Sequence, residues 1–379
     1  MSLQQQNNNL QVKKNNRIAK FYIMSYSGNQ QDHIYANENM QCGILIKIRA
    51  ADSTNNTIIL SDEQLNSIEL INYATNETLS GNWSYSSVEN NYSHTFPFVK
   101  NLQVSDPLYE EVTNGTLESD TIQRKLYWVT TKKEEAIMIS ARITFDGKTY
   151  IAESKAFGSA ISVVGHAPII YRAADLVWSV IENVNSGIFN VHEKIETYYG
   201  VGGSSTKEED FTRSWSQNNH YLAIKNGFVV RNIAIWNTTE DNNRKSKDFR
   251  RFAHLTYKSS FEKQEDLYLW FIWGVDAEDR VIEVGAMTKK HTHSLGSGGI
   301  SVETYSTDPK VMIHTTTHTD TINISRLYFQ SPAADFWANE ASNAPCFIFY
   351  DAYGNKSGTI QIEMDNYNQF HLKDREMMK

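Results

Sequence analysis

Proline is scarce in this sequence, with 6 residues in a chain of 379. One of the usual punctuators of loops is nearly missing, so Asn, Asp and Gly must do most of the turning. Cysteine is scarcer still. Cys42 and Cys346 are the whole complement, which excludes a disulfide framework and leaves at most one long-range bridge. Two separate buried thiols, each packing as a small hydrophobe, fit better. No apolar run approaches the ~20 residues that a membrane helix requires, so no stable membrane span is expected. The start, Met1-Ser2-Leu3 followed by Gln and Asn, lacks the apolar core of a secretory signal. That predicts cytoplasmic synthesis, with release by lysis or a dedicated apparatus if the protein acts outside the cell. Basic blocks are absent as well. The formal net charge is -8, a balance that keeps a protein soluble and argues against nucleic acid as a partner.

Catalytic signatures are equally thin. There is no Gly-x-Ser-x-Gly, neither cysteine sits in the local context of a nucleophile, and no carboxylate pair stands out from ordinary surface acids. Gly200-Val201-Gly202-Gly203-Ser204-Ser205-Thr206-Lys207 is glycine-rich but lacks the Gly-x4-Gly-Lys-Ser/Thr spacing of a phosphate loop. It reads as a surface loop, as does Leu295–Gly299. A protein that is not an enzyme and carries no cofactor is the expectation.

What the chain does have is aromatic and β-branched residues. Tyr 20, Phe 17 and Trp 8 accompany plentiful Thr, Val and Ile, the residue types that fit a pleated, half-buried surface. Met40–Ala50 alternates, with Cys42, Ile44, Ile46 and Ile48 on one face. Asp146-Gly147 between two alternating runs is a strong hairpin signal, and Asn226-Gly227 is another. Ser61-Asp62-Glu63-Gln64 has the form of a capping box. The predicted class is mainly β, with two β-sandwich domains. Residues 1–18 form a polar Gln/Asn-rich arm, 19–165 an immunoglobulin-like sandwich, and 170–379 a second sandwich with one or two short helices. Gly165-His166-Ala167-Pro168 is the expected linker. The helices are expected over 173–184, where Leu176, Val177, Val180, Ile181 and Val184 make a stripe, and over 331–341. The arm has nothing local to bury, so its order would come from lying along a neighbouring sheet edge.

Two groups of residues are candidate sites. His291 and His293, with His314 and His318, would place two imidazole pairs on adjacent strands and could hold zinc or a similar metal. The same Thr-rich stretch, 311–325, has the length of a membrane-inserting strand, but 315–320 holds no apolar side chain on either face. Within Tyr268–Trp273, Trp270 and Trp273 are candidate anchors for a partner or glycan, against the plainer reading of a central strand buried on both sides. The leading function is a non-enzymatic structural or adhesive subunit that self-assembles into a fibre, tubule, phage-like particle or inclusion. The alternative is a released toxin or lectin-like protein that binds a host surface and oligomerises on it. The expected partners are further copies of the chain (a homo-oligomer) and a cell-surface glycan or protein.

Overall fold

The computed structural model describes residues 16–29, 31–97, 122–152, 159–237, 251–257, 265–275, 279–283, 286–315, 318, 320–337, 345–364 and 369–375. Its architecture is mainly β. The described residues form 23 strands and one α-helix of five residues. They fall into two compact units, one of residues 1–169 with Tyr353–Asn355, the other of 170–352 with 356–379.

In the first unit, one sheet runs in the order β1 (Arg17–Ser25), β3 (Cys42–Ala51), β7 (Gln123–Thr131) and β6 (Trp83–Ser86), with β4 (Thr57–Ile58) on β3. A second sheet runs β2 (Gln31–Tyr35), β10 (Ile161–His166), β8 (Ala136–Phe145) and β5 (Glu69–Asn72), with β9 (Lys148–Ile151) on β8. The alternation read in β3 is the core face: Cys42, Ile44, Ile46 and Ile48 join Ile139, Ala141, Ile143, Ile161 and Val163 of the other sheet in one cluster. Two sheets sharing one core are a sandwich. Asp146 and Gly147 turn the β8–β9 hairpin with φ of 49° and 72°. The capping box at Ser61 starts α1 (Asp62–Asn66), Ser61 accepting from the Gln64 N–H.

The second unit is built on a seven-stranded sheet: β14 (Arg251–Tyr257), β15 (Glu265–Gly274), β20 (Ile322–Phe329), β12 (Gly203–Ile224), β11 (Leu176–Tyr199), β18 (Gly299–Thr307) and β17 (Met287–Leu295). Every neighbouring pair in it is antiparallel. A four-stranded sheet holds β13 (Val230–Asn237), β21 (Pro345–Asp351), β22 (Thr359–Met364) and β23 (Phe370–Arg375), and β16 (Arg280–Glu283) pairs with β19 (Lys310–Ile313). One face of the large sheet buries Phe189, Val191, Trp215, Leu269, Phe271, Leu327 and Phe329 against Val311, Ile313, Phe336 and Trp337.

Several expectations are corrected. The stripe at 173–184 is strand from Leu176 onward, and only Ala173–Asp175 make a helical turn. β-branched Val and Ile sit comfortably in a strand, and pairing from Leu176↔Ile224 to Ile181↔Asn219 supplies the backbone partners a helix would have supplied. Residues 332–337 form bends and turns, and residues 338–341 of the predicted 331–341 helix lie outside the described residues. At Asn226-Gly227 only Gly227 has positive φ, 80°. The turn exists, but β12 and β13 on its two sides enter different sheets. Gly165 and His166 belong to β10. A Cβ on Gly165 would lie 2.6 Å from the Lys133 carbonyl oxygen, so this glycine serves close packing, not a linker. Of the polar arm, Arg17 and Ile18 are already in β1, and residues 1–15 lie outside the described residues.

Candidate functional site

The two candidate sites named from sequence do not assemble. His291 and His293 lie on β17, whereas His314 and His318 come after β19 and neither is in a strand. Each imidazole has its own neighbour. The His314 ring lies 3.0 Å from Asp279, His293 sits 3.5 Å from Glu303, and the His318 ring meets Tyr221 edge-on. Among the described residues no three His, Cys, Asp or Glu side chains gather in a metal-holding group. Trp270 and Trp273 are 1% and 5% exposed, because β15 is flanked by β14 and β20 and covered on both faces. Trp273 stacks on Phe271 and its indole N–H donates to Ser325 Oγ at 2.9 Å. Buried this way, neither indole is an anchor for a partner.

The long hairpin is the more distinctive feature. β11 has 24 residues and β12 has 22, a length of about 70–80 Å at the usual rise of a strand. β20 pairs only with Trp215–Leu222 of β12. Beyond that point the sheet narrows to four strands, β12-β11-β18-β17 (a blade), and among the described residues no strand lies outside 203–212 or outside β17. Among the described residues the blade therefore has two free edges, which other sheets pair with readily unless charge prevents it.

Those edges differ in sign. β17 carries Lys289, Lys290, His291 and His293, while the exposed part of β12 carries Lys207, Glu208, Glu209 and Asp210. Register aligns them. Lys290, Thr304, Lys194 and Glu208 form one row across the blade, and Lys289, Tyr305, Glu193 and Glu209 form the adjacent row. Within one copy the acids of β12 already have local partners: Lys207 Nζ donates to Glu209 at 2.9 Å and the His192 ring lies 2.8 Å from Asp210. Both are exposed pairs of small worth.

Toward the other end of β12 polarity is handled by burial. Gln217 Nε2 donates to Asn219 Oδ1 at 2.7 Å and to the His314 carbonyl at 2.7 Å. Asn219 Nδ2 donates to the same carbonyl at 2.9 Å, and Ser325 Oγ donates to Asn219 Oδ1 at 3.0 Å. On the opposite face His220 accepts the Trp178 indole N–H at Nδ1, 3.0 Å away, and packs on Trp270. Burial first, then the nearby Arg326, holds the His220 imidazole down to about 3 and therefore neutral.

Elsewhere the chain offers less. A recess of about 250 Å³ in the first unit is lined by Asn72, Thr78, Ser80, Asn82, Trp83 and Glu135. Trp83 is 4% exposed and donates its indole N–H to Glu135 at 2.9 Å, so it presents no open ring face to a ligand. Cys42 and Cys346 are free, buried and in different units, and burial pushes both thiols up.

The edge residues Lys289, Lys290, Glu208 and Glu209 were not singled out from sequence. A signal was present. Charged residues at 193–196 and 207–210 bracket a charge-free stretch centred on Gly200 and Gly202, the pattern of two strands running away from one turn.

No protein-family model matches the chain, and no curated protein matches it. Among solved structures, it superposes on the C-terminal domain of the Streptococcus pyogenes antigen I/II-family protein AspA with 9% identity and a TM-score of 0.20, covering 91% of this chain and 99% of that one. The C-terminal domain of the Streptococcus agalactiae antigen I/II polypeptide BspA gives 10% identity and a TM-score of 0.18, covering 90% and 98%. Scores this low carry no argument about function, which rests on the geometry above.

Proposed function

We propose that the protein is a non-catalytic, self-assembling adhesive subunit whose copies join blade to blade, β17 of one along β12 of the next. The observation that carries this reading is the sign difference between two free edges of one sheet. Charge on an edge strand is ordinarily a guard against aggregation, and edges of one sign would be that guard alone. Opposite signs in matching rows repel like edges and attract unlike ones, which selects head-to-tail association. Such contacts close into rings or continue as filaments.

The strand directions suit it. β17 runs toward the hairpin turn and β12 away from it, so antiparallel pairing between copies keeps every blade end on the same side. Pairing along the nine residues of β17 would form roughly nine backbone bonds, a net gain of about 5–13 kcal/mol. Association itself costs about 4–15 kcal/mol. The balance is close, so assembly should depend on local concentration and weaken with salt.

Light scattering and electron microscopy test this with charge-reversed copies. Lys289→Glu with Lys290→Glu should block assembly, and so should Glu208→Lys with Glu209→Lys. Mixing the two variants should restore it, because each then offers the other an unlike edge. Assembly unaffected by either reversal, or no recovery on mixing, removes edge pairing as the contact.

The same geometry supports a second reading, a released protein that recognises a host surface and oligomerises there. The charge-free end of the blade favours it.

A further inference from the structure

We propose that the end of the blade is a docking surface for a lipid bilayer of uncharged phospholipid. The inference goes beyond self-assembly and does not require it, since one copy presents the whole end.

Two turns meet there. The β11–β12 turn closes with the Gly202 N–H donating to the Tyr199 carbonyl at 3.1 Å, and Gly296–Gly298 joins β17 to β18. Register places both turns at one end, because Ser294, Ile300, Tyr198 and Ser204 share a row. No Asp, Glu, Lys or Arg occurs in 197–206 or in 294–302. Large apolar and aromatic side chains stand open to solvent in that zone: Val201 is 100% exposed, Tyr199 52%, Tyr198 44% and Ile300 43%. Immediately behind it the charges return together on all four strands, as Glu196 and Lys194, Lys207 and Glu208, Glu303, and Lys290 and Lys289.

An uncharged cap with a charged collar matches the profile of a bilayer boundary. Tyrosine rings sit at the headgroup level with hydroxyls in water, and a bare valine gains by entering the acyl region. The collar must remain hydrated, and hydrocarbon offers no hydrogen-bond partner to backbone that reaches it at the turns. Together these limit immersion to about 5–10 Å, the depth of an interfacial element, with no span implied. The lipid should be uncharged. The collar mixes both signs, the cap has no basic residue, and a chain of net charge -8 is repelled by an anionic surface. A folded protein partner is the other occupant of such a cap, but the flat transition from no charge to mixed charge across four strands suits a slab better than a pocketed surface.

Flotation of the full chain with phosphatidylcholine vesicles is the test. Wild type should float with the vesicles, Val201→Asp with Tyr198→Ser and Tyr199→Ser should reduce partitioning at least tenfold, and Val201→Trp should show a blue-shifted emission on vesicle addition. The Lys289→Glu, Lys290→Glu variant separates this proposal from the assembly reading: it should still bind vesicles while remaining monomeric. Wild type that does not float, or a cap variant that floats equally well, overturns the proposal. So does a Val201→Trp emission that stays unshifted on vesicles. Cap-dependent retention on glycan-coated or protein-coated beads without vesicle binding overturns it in favour of that partner.

Discussion

The two halves of β12 solve one problem in opposite ways. Residues 203–213 put charge on an open edge, whereas 214–224 bury Gln217, Asn218, Asn219 and His220 in succession between β11 and β20. The first half can rely on water to solvate its polar groups. The second must satisfy them internally, and the bonds from Gln217 and Asn219 to the His314 carbonyl and Ser325 do so. One strand thus serves as structural core at one end and as exposed surface at the other, and equal substitutions should have unequal consequences along it.

The sharpest way to break the comparison is Asn219→Leu, which removes that amide from a buried network and leaves Gln217 and Ser325 short of a partner. Urea denaturation should register a loss of about 3 kcal/mol. His220 gives the next effect. Its folded-state value of about 3 lies below the ~6.5 of an unfolded histidine, so the unfolded chain takes up the proton first as pH falls. The contribution to stability is therefore complete above ~6.5 and is lost as pH drops toward 3. Between pH 7 and 5 wild type should lose about 2 kcal/mol relative to His220→Gln, read from paired denaturation curves. The smallest effect belongs to the exposed half. Glu208→Ala with Glu209→Ala should change unfolding free energy by less than about 0.5 kcal/mol, while shifting assembly to higher concentration.

How much of this was legible in the sequence follows the same division. The alternation of Met40–Ala50 and the Asp146-Gly147 turn could be read directly, because each is a local pattern with a single geometric outcome. The stripe at Leu176–Val184 misled, since apolar residues three and four apart also arise when a strand buries neither face consistently: Val177, Trp178, Val180 and Ile181 are all more than 40% exposed. Which strands share a sheet could not be read at all. The relation between Lys290 and Glu208 passes through three successive pairings, and nothing in their sequence separation encodes it. The histidine and tryptophan candidates show the converse. They are conspicuous in one dimension and are separated or enclosed in three.

One irregularity in β11 bears on how such a blade can vary. Between Ile181↔Asn219 and Asn185↔Gln217, β11 advances four residues while β12 advances two. Asn183, at φ 53°, absorbs the surplus and donates its N–H to Asn218 Oδ1 at 3.1 Å. The surplus is even, so side chains keep the same facing on both sides of it, and Phe189 and Val191 still point into the core. Deleting Val184 alone would cut the surplus to one residue, the count that β1 carries between Ile18 and Lys20 while Phe21 and Ile23 stay in the core, so the pairing beyond it and the facing of Phe189 and Val191 would be kept. Deleting a pair would preserve every facing. A change in the length of β11 can therefore be absorbed at this bulge without altering which side chains beyond it enter the core.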